Sequence, residues 1–102
     1  MTGVPFDDRE IFLIREANPL ADVVREHGVA LTETEHGLTG CCPFHTENVP
    51  SFHVTPARGY WYCFGCAEGG DVIGFVRKTR SLGFMDALRF LADRAGLTRG
   101  GE

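Results

Sequence analysis

Three observations predict an α+β fold for this 102-residue chain. Apolar residues recur at helical spacing in the first 28 residues and again after residue 70. Between those stretches lie short extended segments punctuated by turn residues. Inside them stand two residue pairs suited to one metal ion, Cys42/His45 and Cys63/Cys66, each with two residues between its members. Together they predict a small antiparallel sheet clamped by a metal, with helices at both ends.

Each element has a local reason. Asp7 or Asp8 can cap a helix carrying Ile11, Phe12, Ile14 and Arg15, which Asn18-Pro19 then breaks. Pro19 opens a second, short helix whose apolar side is Leu20, Val23 and Val24, and Gly28 ends it after His27. Strands are expected over Ala30–Thr34, Gly37–Cys41, Phe52–Thr55 and Tyr60–Cys63. The turns between them are His36-Gly37, Asn48-Val49-Pro50 and Pro56-Ala57-Arg58-Gly59. Helical spacing returns with Val72, Ile73, Phe75 and Val76, capped by Gly70 or Asp71 and ending near Arg77, Lys78 and Arg80. A last helix starts near Gly83, carries Phe84, Ala87, Leu88, Leu91 and Ala92, and stops at Gly96. The expected organisation is one domain over 1–102: a helical lead-in at 6–28, a ribbon at 29–69, helices at 70–97, and a tail or linker at 98–102.

Two-residue spacing lets a tight turn aim both side chains of a pair at one point, as tetrahedral zinc requires. Both pairs fall where a strand runs into a turn, the arrangement of a zinc ribbon. Cys42, His45, Cys63 and Cys66 are therefore the expected ligands of one Zn2+. Three sulfurs and a nitrogen fill the tetrahedron and leave no open position for water, so the metal is expected to be structural. Glu47 and Glu68 lie near ligands but would have no metal-bound water to activate. Cys41 competes with Cys42, yet adjacent residues of a strand face opposite ways, and only Cys42 keeps the two-residue gap to His45. Two disulfides or an iron–sulfur cluster are the alternatives. The disulfide reading is weakened by an N-terminus without a basic patch and apolar run, which points to the cytoplasm.

The composition, 43% hydrophobic and 24% charged, is that of a globular protein and not of a disordered tail. No apolar run reaches the roughly 18 residues of a membrane span. Formal charge is −4, and three thiolates around a dication bring it to about −5. That balance opposes strong phosphate binding, which usually supplies most nucleic-acid affinity. Against this, Phe44, Phe52, Tyr60, Trp61, Tyr62 and Phe64 crowd around the ligands. Alternation sends Tyr60 and Tyr62 to one face and Trp61 to the other. Part of the set must fill the core, and exposed members would form a stacking platform for unpaired bases. His27 and His36 are expected to be packed or exposed side chains rather than ligands. The same is expected of His53, which is a candidate surface contact on the sheet.

The motifs Cys42-Pro43-Phe44-His45-x-Glu47, Pro50-Ser51-Phe52, Tyr62-Cys63-Phe64-Gly65-Cys66 and Gly69-Gly70-Asp71-Val72-Ile73-x-Phe75 closely resemble the N-terminal zinc-binding domain of bacterial DnaG-type DNA primases. The resemblance spans nearly the whole chain. It implies a zinc ribbon that engages single-stranded template DNA and helps a primase begin an RNA primer. In that family a separate catalytic domain polymerises, and a further region docks on the replicative helicase. These 102 residues are too short for either, so no primer synthesis is expected from them alone. Primases usually follow the motif glutamate with a lysine and then threonine or serine, where Asn48 and Val49 stand here. Arg58 is the only Lys or Arg between Arg25 and Arg77, so DNA binding by the isolated chain is expected to be weak.

The leading expectation is a primase-type zinc domain touching template through His53, Arg58, Tyr60 and Tyr62, with Arg77, Lys78 and Arg80 as a helical basic patch. Its catalytic domain could be supplied in cis or in trans. The competing readings are a zinc-ribbon protein-interaction module with little DNA binding, and a redox or metal sensor using Cys41.

Overall fold

The computed structural model of the chain describes residues 6–44 and 50–97. His45, Glu47, the Asn48-Val49 part of one expected turn and the 98–102 tail lie outside the described residues. Helix α1 (Asp8–Ala17) starts at Asp7, whose side chain accepts the Glu10 backbone N–H at 2.8 Å. Glu10 accepts the Asp7 N–H in return at 3.0 Å, so two donors that a helix start leaves free are satisfied reciprocally. Pro19 breaks the chain and α2 (Leu20–Glu26) follows, burying Leu20, Val23 and Val24.

Five strands follow: β1 (Thr32–Thr34), β2 (Gly37–Gly40), β3 (Phe52–Thr55), β4 (Tyr60–Cys63) and β5 (Glu68–Gly70). They pair in sequence order as an antiparallel meander. The first two are shorter than the sequence suggests. Pairing stops at Gly40, where the Ala30 carbonyl comes so close that a Cβ would strike it. The turn after β3 is a single 3-10 turn, Pro56–Arg58, closed by Gly59 at φ 63°.

β5 was not expected, because Glu68-Gly69-Gly70 has none of the branched or aromatic residues that favour strands. Its pairing comes from the partner. Gly69 lies opposite Tyr62, and a Cβ there would stand 2.6 Å from the Trp61 carbonyl oxygen and 2.7 Å from the Tyr60 hydroxyl. The tyrosines can lie across β5 because it has no side chain at that position.

Alternation divides the sheet cleanly. Leu38, Val54, Trp61 and the Phe52–Cys63 pair face inward, while Thr39, His53, Tyr62 and Gly69 form one cross-strand row outward. Helix α3 (Val72–Arg80) covers the inner face through Phe75, whose ring centroid lies 6.1 Å from Phe52, 6.2 Å from Trp61 and 5.8 Å from Phe44. Asp71 caps α3 by accepting the Gly74 N–H at 2.9 Å, and its carbonyl accepts the Trp61 indole N–H at 3.0 Å. Helix α4 (Phe84–Arg94) packs on α3 and α1 with Ala87, Leu88, Leu91 and Ala92 buried. Phe84, expected on that apolar side, instead lies at the first helical position and stays 42% exposed. Among the described residues no helix is long and apolar enough to cross a membrane.

Candidate metal centre and the exposed sheet face

The inward parity of β2 and β4 decides which cysteines meet. Cys63 ends β4 on the face of Phe52 and Trp61, and Cys66 follows it around a four-residue turn in which the Ala67 N–H bonds the Cys63 carbonyl at 2.7 Å. Cys42 leaves β2 on the same side as Gly40 and is buried, whereas Cys41 is exposed. The Sγ atoms of Cys42, Cys63 and Cys66 lie within 4.8 Å of one another; Cys41 is not among them.

The donor set fits zinc on several grounds. Tetrahedral Zn–S bonds imply sulfurs about 3.8 Å apart, and Cys42 Sγ lies 3.6 Å from Cys66 Sγ. The Phe44 backbone N–H points at Cys42 Sγ at 3.3 Å, and Ser51 Oγ lies 3.6 Å from Cys63 Sγ, both suited to a thiolate. Burial pushes the Cys42 thiol up to about 12. Cys66 is raised as well, by burial and by its neighbour Cys63. At Cys63 burial acts in the same direction, but hydrogen bonds from the Ser51 hydroxyl, the Cys66 backbone N–H and the Cys42 and Cys66 thiols outweigh it and lower its value. One thiolate forms readily and opposes the next two, so three at this spacing need a cation among them. The cluster makes a single zinc site.

The outer face beside this centre is aromatic. Phe64, in the turn between Cys63 and Cys66, is 68% exposed and stands edge-on to His53 and Tyr62, with ring centroids 5.0 Å away in each case. Tyr60 is 46% exposed on the same face. The division of aromatics expected from alternation holds, with Phe52 and Trp61 stacked inside at 5.5 Å. Phe64 was not among the expected contact residues. Its signal was available, since a phenylalanine between two ligands of one turn has no strand parity to bury it.

The expected basic residues are not together. Arg58 sits at the far end of the β3–β4 hairpin from the metal, lining a cleft of about 520 Å3 with Arg15, Asn18, Pro19 and Asp71. Arg77, Lys78 and Arg80 occupy the last turn of α3. Lys78 Nζ pairs with Glu68 Oε1 at 2.6 Å, and Arg80 covers the Phe90 ring at 4.3 Å. Arg77 is exposed. His36 is exposed near Glu35. His27 is a packed side chain: its Nδ1 lies 2.8 Å from the Val23 carbonyl oxygen and its ring meets the edges of Phe75 and Phe90.

Residues 7–100 match the CHC2 zinc finger family. The chain is 43% identical over 98 residues to a DNA primase of Mycolicibacterium smegmatis, covering 96% of this chain and 15% of that protein. It is 46% identical over 91 residues to a DNA primase of Mycobacterium tuberculosis, covering 89% and 14% respectively. Among solved structures, the zinc-binding and RNA polymerase domains of the Aquifex aeolicus primase match with a TM-score of 0.78 and 34% identity, over 85% of this chain and 21% of that one. The chain thus spans about one seventh of the length of the curated relatives it matches.

Proposed function

The chain belongs to the CHC2 zinc finger family, and from that premise we propose that it is a zinc domain that holds single-stranded template DNA during the start of an RNA primer. Cys42, His45, Cys63 and Cys66 are its four zinc ligands, His45 completing the tetrahedron that the three sulfurs begin. The zinc supplies structure and no chemistry: with four protein ligands it keeps no site for water or substrate. Polymerisation belongs to a catalytic domain acting with it in cis or in trans, a replicative helicase is a further partner, and the setting is the cytoplasm.

One observation carries the DNA reading, the exposed Phe64 ring packed on the half-buried His53 and Tyr62 beside the metal turn. Phe64 stands 68% in water beside two further rings, and any unpaired base offers a face to stack on it. Tyr60 extends the platform. Of the four expected cations, Arg58 at the hairpin tip and Arg77 on α3 are left for phosphate, since Lys78 and Arg80 have partners within the chain. Few cations on an acidic chain mean weak binding with a shallow salt dependence.

Anisotropy of a labelled single-stranded oligonucleotide at low and moderate salt tests this. Phe64→Ala should weaken binding by about 1–3 kcal/mol, one stacked base, with the fold unchanged. Failure to bind even at low salt would refute the proposal. It would favour a protein-interaction module, for which the exposed β1 edge with Glu33 and the adjoining Glu35 is the supporting observation.

A further inference from the structure

We propose that Lys78 is a positioning residue of the zinc centre, a single α3 side chain that ties the two ligand-bearing turns together and slows loss of the metal. The proposal rests on the zinc reading above. Phe44 lies two residues after Cys42, and Glu68 lies two residues after Cys66. The Lys78 ammonium touches both: Nζ is 2.6 Å from Glu68 Oε1 and 5.0 Å from the centroid of the Phe44 ring.

The Cys42 turn follows β2 and the Cys66 turn joins β4 to β5, so the two come from strands that are not neighbours in the sheet. Thiolate repulsion pushes them apart whenever the metal begins to leave. A cation between them opposes that opening. Its partners reach it by different physics, a carboxylate by charge and a ring face by its quadrupole. Zinc held by three thiolates and one imidazole leaves about one net negative charge, which the ammonium offsets without ligating. The ammonium is itself raised above its ordinary value, by Glu68 first and by the Cys66 and Cys42 sulfurs after it.

Lys78 and Glu68 are 37% and 50% exposed, and exposed pairs contribute little to global stability. The effect of breaking this one should therefore fall on the metal centre rather than on the melting temperature. Groups hydrogen-bonded directly to a metal ligand alter metal affinity about ten- to a hundredfold. A partner acting through the turns should do less, so Lys78→Met should release zinc roughly three- to tenfold faster.

The test uses the zinc-loaded chain, with release into excess chelator followed by absorbance and the fold followed by circular dichroism. Lys78→Met and Glu68→Gln should both speed release, the double variant no more than Lys78→Met alone, and Lys78→Arg should restore the slow rate. Release from Lys78→Met within twofold of wild type overturns the proposal, and if that variant does not fold, an unchanged rate in Glu68→Gln does so. An unchanged release rate together with a DNA salt slope shallower by about one unit assigns Lys78 to phosphate instead and also overturns it. Absence of zinc from the wild-type chain removes the underlying zinc reading, and the proposal falls with it.

Discussion

The Asn18 side chain, 1% exposed, makes three hydrogen bonds where α1 ends. Its amide donates to the Ile14 carbonyl at 2.7 Å and the Leu91 carbonyl at 3.0 Å, and its oxygen accepts from Arg94 Nη1 at 3.0 Å. The same Arg94 grips Glu26, with Nε 2.7 Å from Oε1 and Nη2 on Oε2, so α1, α2 and α4 meet through three side chains. Removing the Asn18 amide takes a donor from the Ile14 and Leu91 carbonyls, the latter keeping its Ala95 N–H bond at 3.1 Å, and ends the guanidinium contact. Asn18→Ala should therefore lower stability by about 2–3 kcal/mol, read from the urea midpoint at constant m-value. The sequence marks Asn18-Pro19 as a break between helices, which is correct, but a helix breaker is usually at the surface. Its burial depends on Leu91, which lies 73 residues further along the chain.

β5 shows the same dependence on distant residues at the scale of an element. Its three residues pair with Trp61–Cys63 and give α3 a fixed point from which to start, through the Asp71 cap and the Trp61 indole bond. Gly69→Val should collide with the Tyr60 hydroxyl and with backbone at Trp61, and backbone cannot retreat as a flexible side chain can. The expected cost is about 1–3 kcal/mol. Amide exchange at Trp61 and Gly70 should quicken, while amides of α1 and α2 stay protected. The other elements were legible because their causes are local: a capping box at Asp7 and Glu10, alternation in β3 and β4, three- and four-residue spacing in α4. Phe84 departs from that spacing because the first residue of a helix has no turn before it to lay its ring on.

At the scale of the whole molecule the metal centre should matter most, because Cys42 and Cys63, both buried, and Cys66, half-buried, are gathered from separate strand ends. Chelation should loosen the sheet and weaken the near-ultraviolet signal of Trp61. The pH dependence differs in the two states. Without metal, the Cys42 thiol has a value of about 12 in the fold against an ordinary 9.0, so the fold favours the neutral form. That contribution is fully present below pH 9 and is lost as the pH rises toward 12. The structure left after chelation should therefore decline further above pH 9. With zinc the sign reverses, because bound thiolates must be reprotonated for the metal to leave, so acid releases it. Near-ultraviolet dichroism across both pH ranges, with and without chelator, checks the two signs.

The clustering of Cys42, Cys63 and Cys66, the helix starts and the face on which each strand residue would lie were readable from residue types and spacing. These depend on interactions within a few positions, where chain geometry leaves few choices. Selection of Cys42 over Cys41 belongs with them, since it follows from strand parity. Which groups become neighbours across the fold required the packed structure. Gly69 clears space for two tyrosines, Asn18 closes a three-helix junction, and Lys78 is drawn from an expected DNA-binding patch to the flank of the zinc site. Such contacts join residues from seven to more than seventy positions apart, and no local propensity encodes them. The charges show the difference most plainly: Arg58, Arg77, Lys78 and Arg80 count alike along the chain, but packing leaves Arg77 and Arg58 to solvent and gives the other two partners within the chain.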